Sequence, residues 1–297
     1  MHSEACRALK RQGYQFFNER SSAAVKPCMW NKRTLRGGDM CYKHQFYGIE
    51  SHRCVQMTPT LKCNQRCLFC WRSHEHEVRE TEEIDPFEIV ESVRALQKKA
   101  LSGFKVSKYV APELFEEAME PNMVAISLSG EPTCYSRIGD LIDLFNERGY
   151  TTFMVSNGTR PWILERCRPF QQYISLDAPD RETYLRICRP LDDYWDYINE
   201  SLSLLGGRRS AVRITLVEGL NDIAPQGYAR IIQDSGTDYV EVKGYMHLGY
   251  SRFRLERSRM PSHLQVKAFA NEIGKYCDYE ITDESPISRV VCMERRT

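Results

Sequence analysis

The sequence predicts an α/β fold, a partial (β/α)6 barrel preceded by an N-terminal extension, on three observations. Strand-like and helix-like segments alternate through the middle of the chain. The strand bodies are short apolar or β-branched runs, the kind that bury both faces of a parallel sheet. Each of these runs exits into polar residues, which is where α/β folds keep their chemistry. The 297 residues, 42% hydrophobic and 27% charged, suffice for one large domain or two small ones with a real core. We expect residues 1–54 to form the extension, 55–260 the barrel, and 261–297 a C-terminal helix with closing strands.

In chain order, residues 55–59 read as a strand end leading into a Cys-rich loop, and 124–128 (Val-Ala-Ile-Ser-Leu) as a buried strand. Residues 138–148 carry Ile138, Leu141, Ile142 and Phe145 on one helical face. Residues 151–159, 173–179, 212–219 and 238–244 repeat the strand-then-polar pattern, with helical patterns at 160–168, 181–189, 194–205 and 225–234 between them. That makes six strand-like segments alternating with helices. Beyond Met260, Pro261 precedes Ser262, an N-cap for a helix bearing Leu264, Val266, Phe269, Ala270 and Ile273. Residues 279–281 and 290–292 read as short closing strands.

No run approaches the ~18 apolar residues of a membrane span. The N-terminus mixes Glu4, Arg7, Lys10 and Arg11 without an apolar stretch, so the expected setting is cytoplasmic, with no membrane partner. There the thiols stay reduced, and clustered cysteines serve metals or catalysis. Of twelve Cys, the tightest group is Cys63, Cys67 and Cys70, spaced C-x3-C-x2-C. Three thiolates on one loop can wrap one face of a metal cluster. Zinc is the competing metal, with His74 or His76 as a fourth ligand. Cys28, Cys41 and Cys54 are separated by twelve residues each time, which suits a second cluster or, equally, three core or capping thiols. Cys6, Cys134, Cys167, Cys188, Cys277 and Cys292 read as small buried hydrophobes.

The Cys63 loop, with Phe69 before and Trp71 after its third Cys, resembles that of the radical S-adenosylmethionine enzymes. In that family the three Cys hold three irons of a 4Fe-4S cluster, and the fourth iron is left to the methionine amino and carboxylate groups. Ser129-Gly130-Glu131-Pro132-Thr133 resembles the family's Gly-Gly-Glu-Pro motif, with Ser129 in place of the first Gly. In relatives that loop binds the methionine amino group. The resemblance implies the same partial barrel, and with it Asn157, Thr159, Ser175, Asp177, Arg213 and Thr215 at strand exits are placed to reach the cofactor or substrate.

With both triads in view, the chain resembles the tRNA 4-demethylwyosine synthase family in its short form without a flavodoxin domain. The matching text is C-x12-C-x12-C followed by C-x3-C-x2-C, Cys41-Tyr42-Lys43-x-x-Phe46-Tyr47-Gly48-Ile49, Ser-Gly-Glu-Pro-Thr, Ser-Asn-Gly-Thr, Leu-Asp-Ala-Pro and Val-Lys-Gly-Tyr-Met-His-Leu-Gly-Tyr-Ser-Arg. The resemblance implies a radical S-adenosylmethionine carbon–carbon lyase. It condenses N1-methylguanosine, next to the anticodon of tRNA-Phe, with pyruvate to form a tricyclic base. It further implies two 4Fe-4S clusters: one on Cys63, Cys67 and Cys70 that cleaves S-adenosylmethionine, and an auxiliary one on Cys28, Cys41 and Cys54 that chelates pyruvate. Lys43 is the residue suited to a Schiff base with the keto group. A monomer served by an external electron donor protein completes the expectation.

Net charge is only +1, so any tRNA surface must come from local asymmetry. Residues 31–36 and 251–259 are the two basic runs, and Tyr47, Trp71 and Tyr250 are candidate stacking platforms. Two rivals stand beside this reading: a radical enzyme acting on a peptide or small molecule, and a non-catalytic RNA-binding protein with zinc held by Cys and His44, His52, His74 or His76.

Overall fold

The computed structural model describes residues 4–74, 82–104 and 109–296. Among these, ten strands form a mixed sheet that does not close. They are β1 (Gln15–Phe16), β2 (Ala24–Val25), β3 (Cys54–Thr58), β4 (Met123–Ile126), β5 (Thr151–Ser156), β6 (Gln171–Ser175), β7 (Ser210–Leu216), β8 (Tyr239–Gly244), β9 (Tyr279–Ser285) and β10 (Val290–Arg295). Strands β3 to β8 are the six expected from the alternation. The chain divides into two compact units, Met1–Lys62 with His76–Val155 and Arg166–Phe170, and Cys63–Glu75 with Ser156–Glu165 and Gln171–Thr297.

In the first unit β3, β4 and β5 run parallel, with Val55 opposite Val124 and Val124 opposite Thr152. The crossover from β3 to β4 contains the helix Pro86–Leu101. Asp85 caps it by accepting from the Phe87 amide at 2.8 Å, Pro86 fills the first turn, and Ile89, Val90, Val93 and Leu101 are buried at helical spacing. The helix Ile138–Glu147 buries the four residues expected of it. Neither β1 nor β2 is legible in the sequence, because two-residue strands have no period. They extend the sheet antiparallel, β2 pairing Ala24 with Thr58 of β3.

In the second unit β6, β7 and β8 are parallel, and β10 runs antiparallel to both β8 and β9. Val212, Ile214, Val240 and Val242 are fully buried, each such side chain stabilising by roughly 1.5–3 kcal/mol relative to exposure. The helices Arg181–Cys188, Trp195–Ser203 and Pro225–Ser235 fall where their patterns put them. The helix after Arg160 does not run to 168. It spans only Pro161–Leu164, because Arg168 precedes Pro169, which disfavours helical backbone, and the Arg168 carbonyl instead accepts from Asn146. The helix His263–Gly274 opens with Ser262 and Gln265 capping each other's backbone.

Candidate active site

Cys63, Cys67 and Cys70 lie on a loop of the second unit whose shape is imposed by partners far along the chain. The Arg66 amide donates to the carbonyls of Cys188 and Arg189 (3.0 and 3.1 Å), and the Leu68 amide to Ile187 (2.9 Å). The Gln65 side chain donates to the Tyr184 hydroxyl, and the Leu191 amide to Asn64. From the other side the Arg254 guanidinium donates to the carbonyls of Leu68, Cys70 and Arg72. Gly249 sits at φ +56 because a side chain there would meet the Trp71 carbonyl at 2.3 Å. The hydrogen bond to Cys188, then burial, pushes the Cys67 thiol up, and Asp177 adds to it. Burial and then Cys67 push Cys70 up. The thiols thus feel one another's charge.

Beside the loop, Asn64, Asn157 and Thr159 form a closed network. The Asn157 amide donates to Asn64 Oδ1 at 2.9 Å, Asn64 donates to Thr159 Oγ1 at 2.8 Å, and Thr159 returns its hydroxyl to Asn157 Oδ1 at 2.8 Å. Asp177 Oδ1 accepts from the Thr215 amide at 2.7 Å, yet burial raises its carboxyl to about 6. Ser175 is the half-buried last residue of β6. Arg213 pairs with the fully buried Glu241 at 2.7 Å and lies over the Tyr173 ring. A strand carboxylate with no exposure requires such a partner.

In the first unit, Gly130 adopts φ +75, and a Cβ there would lie 2.2 Å from the Thr60 carbonyl. Only glycine lets the chain pass so close to the exit of β3, where the Glu131 amide donates to Lys62 O at 2.7 Å. Glu131 is buried and accepts from the Thr133 amide and hydroxyl. Ser129 Oγ is buried and finds no hydrogen-bond partner among the described residues, leaving a polar atom at this loop for a ligand. A glycine-lined backbone, an orphaned hydroxyl and a buried carboxylate fit a bound methionine amino group.

Also in the first unit, Cys28 caps the helix Met29–Thr34 by accepting from the Asn31 amide at 3.3 Å. Cys41 stands at the same place on the helix Tyr42–Tyr47, which ends at Gly48 (φ +65), and Cys54 opens β3. The twelve-residue spacing is therefore two rounds of cysteine, short helix and turn. Burial, then Cys28 and Cys41, push the Cys54 thiol up, while Lys43 pulls it down. Cys28, Cys41 and Lys43 thus all lie close enough to Cys54 for their charges to act on its sulfur. The Lys43 nitrogen lies 4.5 Å from the Phe153 ring centre.

Each set supplies three thiols, one for each of three irons of an iron–sulfur cluster. None of the eleven cysteines with described side chains is in a disulfide, and no three His, Cys, Asp or Glu among the described residues are gathered to hold a single metal ion. A cluster does not ask for that, since each Cys binds a different iron. His44 Nδ1 meets the Ile49 carbonyl and His52 Nε2 meets Glu117, while His52 Nδ1 is buried with no hydrogen-bond partner among the described residues. His76 lies outside the described residues.

Each basic run is exposed in part: Arg33, Arg36, Arg252, Phe253 and Arg257 face outward, while other members are packed inward. In residues 31–36, Asn31, Thr34 and Leu35 are buried and Arg33 pairs with Asp39. In residues 251–259, Ser251 is buried, Arg254 clamps the Cys loop, and Arg259 donates to the Glu218 carbonyl. Asn64, Cys188, Glu241 and the structural role of Arg254 escaped the sequence reading. Of these, only Glu241, a lone charge in a strand, left a signal.

Family models agree with this arrangement: the radical SAM superfamily matches residues 57–231, and wyosine base formation matches residues 234–295. The chain is 43% identical over 309 residues to the S-adenosyl-L-methionine-dependent tRNA 4-demethylwyosine synthase of Pyrococcus abyssi, covering 99% of this chain and 90% of that one. It is 37% identical to the corresponding enzyme of Methanocaldococcus jannaschii, covering 98% and 96%. A structure of TYW1 with a lysine–pyruvate adduct bound superposes with a TM-score of 0.91 at 36% identity, covering 99% of this chain and 96% of that one. The chain belongs to the tRNA 4-demethylwyosine synthase family of radical S-adenosylmethionine enzymes.

Proposed function

We propose that this enzyme condenses the N1-methylguanosine next to the anticodon of tRNA-Phe with pyruvate, forming the tricyclic 4-demethylwyosine base as a carbon–carbon lyase. The observation that carries the reading is the place of Lys43, in the first turn of the helix that Cys41 heads, with its nitrogen 4.5 Å from the Phe153 ring centre. It gains support from the similarity to a TYW1 that holds a lysine–pyruvate adduct.

In this reading Cys63, Cys67 and Cys70 hold one 4Fe-4S cluster, and Cys28, Cys41 and Cys54 hold a second. Ser129, Gly130 and Glu131, with Asn157, Thr159, Ser175, Asp177 and Arg213, bind or support S-adenosylmethionine. When bound, cluster and cofactor supply a 5′-deoxyadenosyl radical able to take a hydrogen atom from the N-methyl group. The chain's own task is positioning. Lys43 Nζ, once its proton is lost, attacks the keto carbon of pyruvate; the keto oxygen leaves as water and the resulting imine holds the donor until its C1–C2 bond breaks and the carboxylate carbon departs. The Phe153 ring faces the lysine nitrogen at 4.5 Å. Electrons come from a separate donor protein, and the enzyme works as a cytoplasmic monomer, a setting in keeping with eleven described cysteines outside any disulfide. No helix among the described residues is long and apolar enough to cross a membrane.

Reconstituted enzyme incubated with N1-methylguanosine-bearing tRNA-Phe, pyruvate and a reductant should yield the tricyclic base. Absence of that base, with turnover on a peptide or small molecule, would overturn the assignment. Lys43→Arg should keep both clusters and still cleave S-adenosylmethionine, yet lose product entirely. Normal product from that variant would remove Lys43 from the mechanism.

A further inference from the structure

The Cys loop borders an open cleft of about 530 Å³ in the second unit, lined by Arg66, His74, Arg189, Pro190, Leu191 and Arg254. Three arginines and a histidine line it, and among the described residues no carboxylate does. Arg66 and Arg189 are exposed, yet their backbones are fixed to one another: the Arg66 amide donates to Arg189 O, and Gln65 bridges to Pro190. Arg189 ends its helix in the left-handed region at φ +44, where a side chain is disfavoured and a glycine is the usual occupant. A strained arginine kept at such a place, aimed into a cationic cleft, is a feature to be explained by what the cleft holds. Arg254 is locked by the carbonyls of Leu68, Cys70 and Arg72.

We infer that this cleft seats the sugar–phosphate backbone of the substrate RNA, Arg66 and Arg189 each taking a phosphate. The inference rests on the tRNA reading above. Planar guanidinium forks match two phosphate oxygens, which a point charge does not. Leu191, 60% exposed, and Pro190 offer an apolar wall for ribose. An open groove lined by three arginines suits a polyanion tracking across it. Because Arg66 directly precedes Cys67, a phosphate held there anchors the RNA next to the Cys loop. It also supplies the local positive surface that a net charge of +1 demands, adding Arg66 and Arg189 to Arg254 of the run 251–259.

The test is binding of a fluorescent tRNA-Phe transcript to the reconstituted enzyme between 50 and 200 mM salt. Arg66→Gln with Arg189→Gly, a change that relieves the positive φ, should make the slope of log affinity against log salt shallower by about 1.5–2 and weaken binding roughly tenfold. Arg66→Lys with Arg189→Lys should restore most of the slope. An unchanged slope in the Gln/Gly variant overturns the inference. Should that variant lose its iron, the wild-type enzyme decides: tRNA should shield Arg66 and Arg189 from phenylglyoxal, read by mass spectrometry, where inorganic phosphate at equal ionic strength does not. Equal shielding by phosphate, or none by tRNA, overturns it. A wild-type enzyme that binds no tRNA at all would instead bring down the tRNA reading itself.

Discussion

Cys28 and Cys41 each stand at the head of a six-residue helix and Cys54 opens a strand, so the N-terminal triad takes its positions from secondary structure close by. Cys63, Cys67 and Cys70 have no regular structure of their own and are tied down by residues 187–191 and by Arg254, more than a hundred positions away. Spacing accounts for the contrast. Twelve residues between ligands leave room for a helix and a turn, whereas two or three do not, so the short loop must borrow its shape. The electrostatics differ too. The Cys63 loop meets charges of both signs, Asp177 at Cys67 and Arg72 and Arg254 at Cys70, whereas Lys43 acts on Cys54. A lysine beside the second triad suits a substrate that brings a keto acid, as pyruvate does.

The largest expected effects separate the triads by chemistry. Replacing Cys63, Cys67 and Cys70 by Ala should abolish 5′-deoxyadenosine formation outright. The same change at Cys28, Cys41 and Cys54 should leave that reaction measurable while eliminating the tricyclic base, and iron should fall from about eight to about four per chain. A triple variant of the N-terminal set that keeps eight irons would break the comparison.

The next test concerns the two ways of holding. Arg254→Ala strips three carbonyls of a charged donor and should cost about 2–4 kcal/mol in chemical denaturation, with iron lost from the Cys63 loop first. Asn31→Ala removes the buried 2.7 Å bond to the His52 carbonyl, within the local scaffold of the other triad, and should cost about 1–2 kcal/mol. Cyanide-free iron counts and the cluster absorbance of each variant show which site suffers. If Arg254→Ala retains full iron and stability, the loop does not depend on its distant clamp.

How much of this was legible follows the same division. The six strands β3 to β8, the face of the helix Ile138–Glu147 and the Ser262 cap were readable because period and capping chemistry are local properties of sequence. Gly130 was found by motif, and the clash awaiting any Cβ there gives the motif its reason. The clamp made by Arg254 left no sign because a charge run looks the same whether its arginines face solvent or the carbonyls of a loop 184 residues away. Cys188 looked like a bystander for a like reason: nothing near it in sequence announces that it packs on Cys67. Contacts of long sequence separation leave no local trace, and the Cys loop is made of them.

The smallest effect concerns Asp177. Burial raises its folded-state pKa from an ordinary value near 3.8 to about 6. Between those values the folded chain holds a proton that the unfolded chain has released, so stability declines as pH climbs toward 6 and stays at its lower level above. Asp177→Asn keeps an oxygen to accept from the Thr215 amide but carries no charge to desolvate. Relative to wild type, the variant should therefore gain about 1 kcal/mol in urea denaturation on going from pH 5 to pH 8. Glu241 makes the useful contrast, since its charge is already met by Arg213, and Glu241→Gln should lose stability at neutral pH. An Asp177→Asn difference that does not change with pH would mean that the carboxylate is solvated rather than strained. The negative charge acting on Cys67 would then be too well screened to set that triad apart from the one beside Lys43.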